Sequence, residues 1–172
     1  MERKIHFARF YVKVYKLCKR DGDRLISSNT VPELTLTYRL GKVTKPKVGY
    51  IYAYRYDPSL SYLKRLCTIY DNPKLALLEC EAVVINALPL MYVSYYENIE
   101  KVKCFWEKFP YVSRRIQEKY PTSSLLYRHW HLVNDNLELQ KEGLIGDTDV
   151  VSICEDNTIL CEWVKPVKEV RG

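Results

Sequence analysis

A nearly uninterrupted apolar run extends from Leu75 to Ala87. Runs of this length and composition are typical of strands that lie in the centre of a sheet. The two carboxylates within the run, Glu79 and Glu81, would share one face of such a strand, because side chains alternate along it. The run therefore predicts a β-sheet with this strand inside it.

Aromatic and β-branched residues predict further strands. Residues 5–19 contain the segment Phe-Tyr-Val-Lys-Val-Tyr, which favours a strand, although the same stretch also fits a helical spacing. The dipeptide Asp21 and Gly22 is typical of a hairpin turn and predicts a return strand over 24–28. The remaining predicted strands are Glu33–Leu40, Tyr50–Tyr56 and a terminal hairpin of Asp149–Cys154 with Ile159–Val164.

Helices are predicted in two parts of the chain. Ser59 is a suitable N-cap for a helix over residues 60–70. Residues 98–109 have apolar side chains at helical spacing. Pro110 is expected to interrupt that helix, because proline has no backbone N–H, and a short helix over 111–120 would follow.

The composition is that of an ordinary globular domain. The chain has 172 residues, of which 47% are hydrophobic and 28% are charged, and this excludes a disordered chain, a collagen-like fibre and a coiled coil. Residues 121–146 give no clear pattern, and the sequence contains no linker and no internal repeat. We therefore expect one α+β domain over residues 1–172, in which two or three helices pack on a mostly antiparallel sheet.

Basic residues are concentrated in the first part of the chain. Residues 1–65 carry fifteen of the 27 Lys and Arg residues but only five of the 21 Asp and Glu residues. Within this part, a loop with three lysines precedes a strand in which tyrosines alternate. Positive charge attracts nucleic acid or acidic protein, and tyrosine rings stack on bases. The predicted binding residues are Lys42, Lys45, Lys47, Tyr50, Tyr52, Tyr54 and Arg55.

The six cysteines are isolated and form no C-x-x-C pair. Isolated cysteines in apolar stretches behave as small hydrophobic residues, which favours reduced thiols and an intracellular location. The N-terminal residues lack the apolar segment of a secretory signal, and the longest uncharged stretch, residues 82–96, is too short to cross a membrane. We therefore expect an intracellular protein that has no membrane partner.

The predicted elements follow one another as strand, hairpin, glycine loop, aromatic strand, helix and strand. Gly22 lies in the hairpin turn, Gly41 and Gly49 bound the loop, and Leu77–Ala82 lies in the last strand. Over residues 10–106 this order resembles that of small proteins encoded by phages, large DNA viruses and their hosts. The resemblance implies a β-rich fold, a viral or mobile-element origin and hence the cytoplasm of a host cell. It implies no activity.

A second resemblance, over Gly49–Ala82, is to ADP-ribosyltransferase-like folds. The catalytic residues of that family have no matching motif here, and only Arg39, Tyr52 and Glu81 could take their places. An enzyme acting on a nucleotide or phosphate compound would instead place Glu79 and Glu81 beside Arg39 or Arg55 in a basic cleft, because two close carboxylates can serve as general acid and base.

His129 and His131 form the only histidine cluster. On a strand both imidazoles would face the same way and could meet one metal ion, but no further ligand occurs at a recognised spacing. Nucleotide-binding, zinc-protease and serine-hydrolase motifs are missing from the sequence, so no cofactor is expected.

The sequence favours a non-enzymatic accessory protein that binds an acidic partner, either a protein or a nucleic acid. The small enzyme is the alternative, and self-association through a sheet edge is a third possibility. The enzyme requires a concave site that holds the carboxylates and an arginine together, whereas the binding protein requires an exposed basic surface.

Overall fold

A computed structural model describes residues 5–29, 31–58, 72–94, 97–120, 132–155 and 157–170. These residues form an α+β fold with mostly antiparallel sheet, which confirms the predicted class. In chain order the strands are β1 (Arg9–Asp21), β2 (Arg24–Ile26), β3 (Thr37–Tyr38), β4 (Ile51–Tyr54), β5 (Leu75–Ile85), β6 (Leu90–Val93), β7 (Val150–Ile153) and β8 (Thr158–Val170), and the helices are α1 (Ile99–Lys119) and α2 (Leu132–Lys141).

The chain divides into two compact units. We call Ala8–Asn86 with Asp156–Gly172 the sheet unit, because it contains β1 to β5 and β8. We call Met1–Phe7 with Ala87–Glu155 the mixed unit, because it contains both helices together with β6 and β7.

In the sheet unit, β5 pairs with β1 along its whole length and with β8 on its other side. β8 also pairs with β4, and β4 returns to β1 through a single residue pair, Tyr15 with Tyr54. The four strands β1, β4, β8 and β5 therefore close into a ring, while β2 and β3 extend the sheet beyond β1. The predicted central strand is confirmed and ends at Ile85.

The inner face of this ring holds the core of the sheet unit. On β4, Ile51 and Ala53 are buried while Tyr52 and Tyr54 lie on the opposite face, as strand alternation requires. The buried cluster comprises Val14, Cys18, Tyr38, Ile51, Ala53, Ala76, Leu78, Cys80, Ala82, Val84, Cys161 and Val164.

The first hairpin has the geometry that the sequence predicts. Residues 9–21 form a strand rather than a helix, because the full-length ladder with β5 satisfies their backbone. Gly22 has a φ of 62°, which a residue with a side chain rarely adopts, and so the chain turns here into β2.

Two predictions about strands are wrong. The strand predicted over Glu33–Leu40 is reduced to β3, because Pro32 begins a 3-10 helix that ends at Leu34 and only Thr37 and Tyr38 pair with β2. The terminal hairpin does not form, since β7 pairs with β6 and β8 pairs with β4 and β5. Alternation correctly identified β7 and β8 as strands, but partners distant in sequence determine their pairing.

The predicted break at Pro110 is also wrong, because α1 is one helix with Pro110 inside it. Asn98 caps its N-terminus, where the side-chain oxygen accepts a hydrogen bond from the Lys101 N–H at 3.0 Å. One face of α1 is buried on both sides of the proline, and this packing offsets the lost backbone hydrogen bond. The buried side chains of that face are Val102, Phe105, Phe109, Val112, Ser113 and Ile116.

Neither α2 nor β6, which complete the mixed unit, was predicted from the local pattern of residues. The ring of Tyr92 on β6 stacks on that of Phe105 at a centroid distance of 4.9 Å.

The predicted helix over residues 60–70 lies outside the described residues. Neither described helix has the length and apolar composition needed to cross a membrane. The described cysteines are all free thiols.

Candidate functional site

We call the loop that contains Lys42, Lys45 and Lys47 the lysine loop. It lies along the edge of β8 that faces away from β5. The Gly41 N–H donates to the Pro166 carbonyl at 2.8 Å, and Thr44 and Val164 exchange two backbone hydrogen bonds of 2.7 and 3.0 Å. β4 pairs with the same edge of β8, at residues 158–161. The loop and the tyrosine strand therefore follow one another along a single strand edge.

We call this arrangement the lysine–tyrosine strip; its members are Lys42, Lys45, Lys47, Tyr50, Tyr52 and Tyr54. The three lysines are exposed and the three tyrosines are half-buried. Burial raises the pKa of Tyr50, and the negative charge of Glu162 adds to this effect. The tyrosines of β4 lie outside the core of the ring, on the face opposite Ile51 and Ala53.

The lysines of the strip differ in how they are held. The ammonium group of Lys47 donates to the Glu33 carbonyl at 2.9 Å, which ties this end of the loop to the 3-10 helix. Within the described part of the chain, Lys42 and Lys45 have no carboxylate within ion-pair distance. Their charge is therefore available to a ligand.

Arg55 lies at the end of β4, next to the strip. Its backbone N–H donates to the Asn157 carbonyl at 2.9 Å, and its guanidinium lies 5.5 Å from the centre of the Tyr56 ring. Both side chains are exposed. The guanidinium of Arg55 and the exposed ring of Tyr56 therefore add a positive charge and a surface for stacking at the end of the strip.

The two glutamates of β5 are held in cross-strand contacts. Glu79 forms ion pairs with Lys13 of β1 at 3.5 Å and with Lys168 of β8 at 3.9 Å. Glu81 accepts a hydrogen bond from the Tyr11 hydroxyl at 2.9 Å. These contacts join the outer faces of β1, β5 and β8.

The arginines proposed for the enzyme are not brought to these carboxylates. Among the described residues, neither Arg39 nor Arg55 forms an ion pair with Glu79 or Glu81. Arg39 is exposed and precedes the lysine loop. Its carbonyl accepts a hydrogen bond from the Lys42 N–H at 3.1 Å.

The histidine candidates His129 and His131 lie outside the described residues. Within the part of the chain that is described, no three His, Cys, Asp or Glu residues are grouped closely enough to hold a metal ion.

Lys16 was not among the predicted site residues, and it lies on the same face of β1 as the core residues Val14 and Cys18. Its ammonium group donates to the Tyr52 carbonyl at 2.6 Å. Burial lowers the pKa of Lys16, while the buried thiols of Cys161, Cys18 and Cys80 act against that shift. The sequence contained a sign of this role, because side chains alternate along a strand and Lys16 therefore falls on the apolar face of β1.

Asp149 was not among the predicted site residues, but it is buried and contacts several elements of the mixed unit. Its carboxylate accepts hydrogen bonds from the Tyr92 hydroxyl at 2.8 Å and from the Gly146 N–H at 3.0 Å. The ammonium of Lys101 lies 3.7 Å from the other carboxylate oxygen. Burial raises the pKa of Asp149, but the hydrogen bonds from Ser94, Tyr92 and Gly146, with the charge of Lys101, lower it overall.

All the predicted binding residues thus lie on or beside the edge of β8, on the strip and at its end. Comparison of the chain with protein-family models, with curated proteins and with solved structures found no match. The function is therefore inferred from the arrangement of the chain's own residues.

Proposed function

We propose that the protein is a non-enzymatic accessory protein, of viral or mobile-element origin, that binds an acidic partner in the host-cell cytoplasm through the lysine–tyrosine strip. The observation that carries the proposal is the shared β8 edge, along which the lysine loop is followed directly by the tyrosines of β4. The partner is an acidic protein surface or a nucleic acid.

The charge of the strip supports electrostatic binding. Lys42 and Lys45 are exposed and have no described carboxylate partner, so binding an anion does not require an internal ion pair to break. Each lysine that neutralises a phosphate releases counterions, and the same charge attracts the carboxylates of an acidic protein.

The aromatic part of the strip supplies contact area beside this charge. Tyrosine is enriched at protein interfaces, and its ring also stacks on unpaired bases. The cross-strand contacts of Glu79 and Glu81 favour binding over the alternative enzyme, because those carboxylates are engaged with Lys13, Lys168 and Tyr11 on the outer face of the sheet and, among the described residues, form no ion pair with either arginine.

The experiment is a salt titration of binding to labelled single-stranded and double-stranded DNA, with polyglutamate as a third probe. The test variant carries Lys42→Ala, Lys45→Ala and Lys47→Ala. The matched control carries Lys19→Ala, Lys74→Ala and Lys141→Ala, which removes the same charge from exposed lysines elsewhere. If the strip contacts nucleic acid, the test variant loses about 2 to 3 units of the slope of log affinity against log salt.

The probes also separate the two kinds of partner. Binding of DNA that is weakened in the test variant and not in the control indicates a nucleic acid. Binding of polyglutamate alone, weakened in the same selective way, indicates an acidic protein. If both variants bind every probe as the wild type does, or equally less well, the strip is not the binding surface and the proposal is wrong.

A further inference from the structure

The N-terminal half of β1 has one edge paired and one edge open. Two hydrogen bonds at the ends of the β1–β5 ladder show which backbone groups of β1 point towards β5. The Asn86 N–H donates to the Ala8 carbonyl, and the Arg20 N–H donates to the Lys74 carbonyl, each at 2.8 Å. Even-numbered residues of β1 therefore bond to β5, because hydrogen-bonded and non-bonded pairs alternate in an antiparallel ladder. The odd-numbered residues direct their backbone groups to the opposite edge.

On that opposite edge, β1 is paired only further along the chain. Lys19 and Asp21 pair with β2, and Tyr15 pairs with Tyr54 of β4. The N–H and carbonyl groups of Arg9, Tyr11 and Lys13 have no strand partner among the described residues. We call these six groups the open edge.

The open edge exists because β4 leaves β1 after Tyr54. The Asn157 side-chain oxygen accepts a hydrogen bond from the Tyr56 N–H, and its NH₂ group donates to the Tyr56 carbonyl, both at 2.8 Å. The backbone of Tyr56 is thereby bound to the β8 side of the sheet. It does not continue the ladder towards Lys13.

Side chains around the open edge are also accessible. Phe10 and Tyr11 are 51% and 64% exposed and point to opposite faces of the strand, with Val12 39% exposed on the face of Phe10. An added strand would therefore find backbone hydrogen bonds, an apolar face beside Phe10 and Val12, and an aromatic ring on the other face.

The mixed unit shows how a strand edge is closed in this protein. The side-chain amide of Asn136 on α2 donates to the Val151 carbonyl at 3.1 Å and accepts from the Val151 N–H at 2.9 Å. Gln140, one turn further along α2, donates to the Asp149 carbonyl at 2.9 Å. These side chains take the place of a neighbouring strand on β7, whereas no side chain among the described residues makes such contacts with the groups of the open edge.

The charges of β1 decide what the open edge accepts. Every charged residue of β1 before Asp21 is a cation: Arg9, Lys13, Lys16, Lys19 and Arg20. The carboxylates that pair with Arg9 and Lys13, Glu162 and Glu79, belong to strands on the other side of β1. A strand laid against the open edge therefore meets only positive charge from β1 itself.

A second copy of the chain is disfavoured as the occupant. In an antiparallel pair centred on Tyr11, Arg9 of each copy would lie directly opposite Lys13 of the other, and like charges in directly opposed positions destabilise a sheet. The whole chain also carries a net charge of +6, which opposes self-association.

We propose that the open edge of β1 binds an extended acidic segment of a partner protein by strand addition. In the antiparallel register that we propose, the central residue of the segment lies opposite Tyr11, its carboxylates lie opposite Arg9 and Lys13, and its apolar residues lie beside Phe10 and Val12. This site is separate in sequence from the lysine–tyrosine strip and does not depend on what the strip binds.

The test uses the full chain and a labelled peptide, Ser-Glu-Val-Thr-Val-Glu-Ser, that matches this register. Two peptide controls are the same sequence with lysine in place of glutamate and the same sequence N-methylated at threonine, which blocks the central amide that faces β1. We expect a Kd below about 1 mM for the acidic peptide and at least about fivefold weaker binding for either control.

Two protein variants isolate the backbone. Tyr11→Pro removes one outward N–H, a change that an edge strand tolerates, and Tyr11→Ala removes the same side chain but keeps that N–H. We expect peptide binding to be weaker for Tyr11→Pro than for Tyr11→Ala by about fivefold. Amide hydrogen exchange on the wild type tests the same site without any substitution. We expect the amides of Arg9, Tyr11 and Lys13 to become protected when the peptide is added.

Other outcomes overturn the proposal. Equal binding of the acidic and lysine peptides, no binding of the acidic peptide at millimolar concentration, or added peptide that leaves those three amides unprotected would each show that strand addition does not occur here. Protection of the same amides that rises with protein concentration alone, together with a dimer in sedimentation, would show that a second copy occupies the edge.

Discussion

The ammonium group of Lys16 donates a hydrogen bond to the Tyr52 carbonyl at 2.6 Å, across the junction where β1 meets β4. This junction has only one strand pair, Tyr15 with Tyr54, so that the lysine side chain supplies a second link where the ladder is short. The closed ring of the sheet unit is completed by a charged group as well as by backbone pairing.

We expect Lys16→Met to change how stability depends on pH. Burial lowers the pKa of Lys16 below its ordinary value of 10.5, so the unfolded chain binds more protons than the folded chain between the two pKa values. The free energy of unfolding of the wild type should therefore rise with pH, relative to the variant, over that interval. The rise is about 1.4 kcal/mol for each unit by which the pKa is lowered. Urea titrations from neutral to alkaline pH measure it.

The control for Lys16→Met is Lys19→Met, which removes an exposed lysine three positions along the same strand. Lys19→Met shows how the profile responds to the loss of a lysine charge at an exposed position of this strand. Parallel pH profiles for the wild type and Lys16→Met would contradict the prediction.

We expect Asn136→Ala to destabilise the mixed unit by about 1–3 kcal/mol, because the N–H and carbonyl of the buried Val151 lose their partner. Asn134→Ala is the matched control, since Asn134 is exposed on the same helix. Chemical denaturation of both variants measures the effect. Equal stability of the two would mean that solvent replaces the amide of Asn136 at no cost.

We expect Asp149→Asn to lose stability in a pH-dependent way. The folded-state pKa of Asp149 is lowered below 3.8, so its stabilising effect is complete above that value and is lost as the pH falls through the folded-state pKa. The wild type should therefore be more stable than Asp149→Asn by about 1–3 kcal/mol at neutral pH, and the difference should shrink in acid. Thermal unfolding at several pH values tests this, with Asp147→Asn, at an exposed position two residues earlier in the chain, as the control.

We expect the described thiols to fall into two classes of reactivity. Cys104 is exposed, whereas burial raises the pKa of Cys18 to about 11 and those of Cys80, Cys154 and Cys161 to about 12. In a Cys67→Ser background, which removes the cysteine outside the described residues, a maleimide should label one thiol quickly and the others only after denaturation. Fast labelling that persists after Cys104→Ser is added would show that a buried thiol is reached in the folded state.

Local patterns in the sequence predicted the elements whose form depends on their own residues. The apolar run of β5, the strand character of β1 and the turn at Gly22 follow from alternation, β-propensity and the conformational freedom of glycine. The opposite faces of β4 also follow, because tyrosines alternate with Ile51 and Ala53.

Pairing and packing between distant segments could not be read in the same way. Nothing local distinguishes β7 as a partner of β6 from β7 as a partner of β8, because both pairings place the same residues in extended conformation. The continuity of α1 through Pro110 depends on burial on both sides of the proline, which the pattern of a single segment does not report.

The candidate site was predictable to a similar extent. Residues that are adjacent in the chain, from Lys42 to Arg55, lie together because they follow one strand edge. The pairing of Glu79 with Lys13 and Lys168 depends on the register of three strands, and the open edge of β1 depends on where β4 departs from it.

The position of β8 in the ring has a consequence for how the protein is made. β8 lies between β4 and β5, yet residues 87–155 separate it from β5 in the chain. During synthesis the ribosome must therefore release the whole mixed unit before the ring is able to close. Until then the edges of β4 and β5 that will receive β8 have no partner, and the nascent chain passes through an interval in which these two edges are exposed to aggregation.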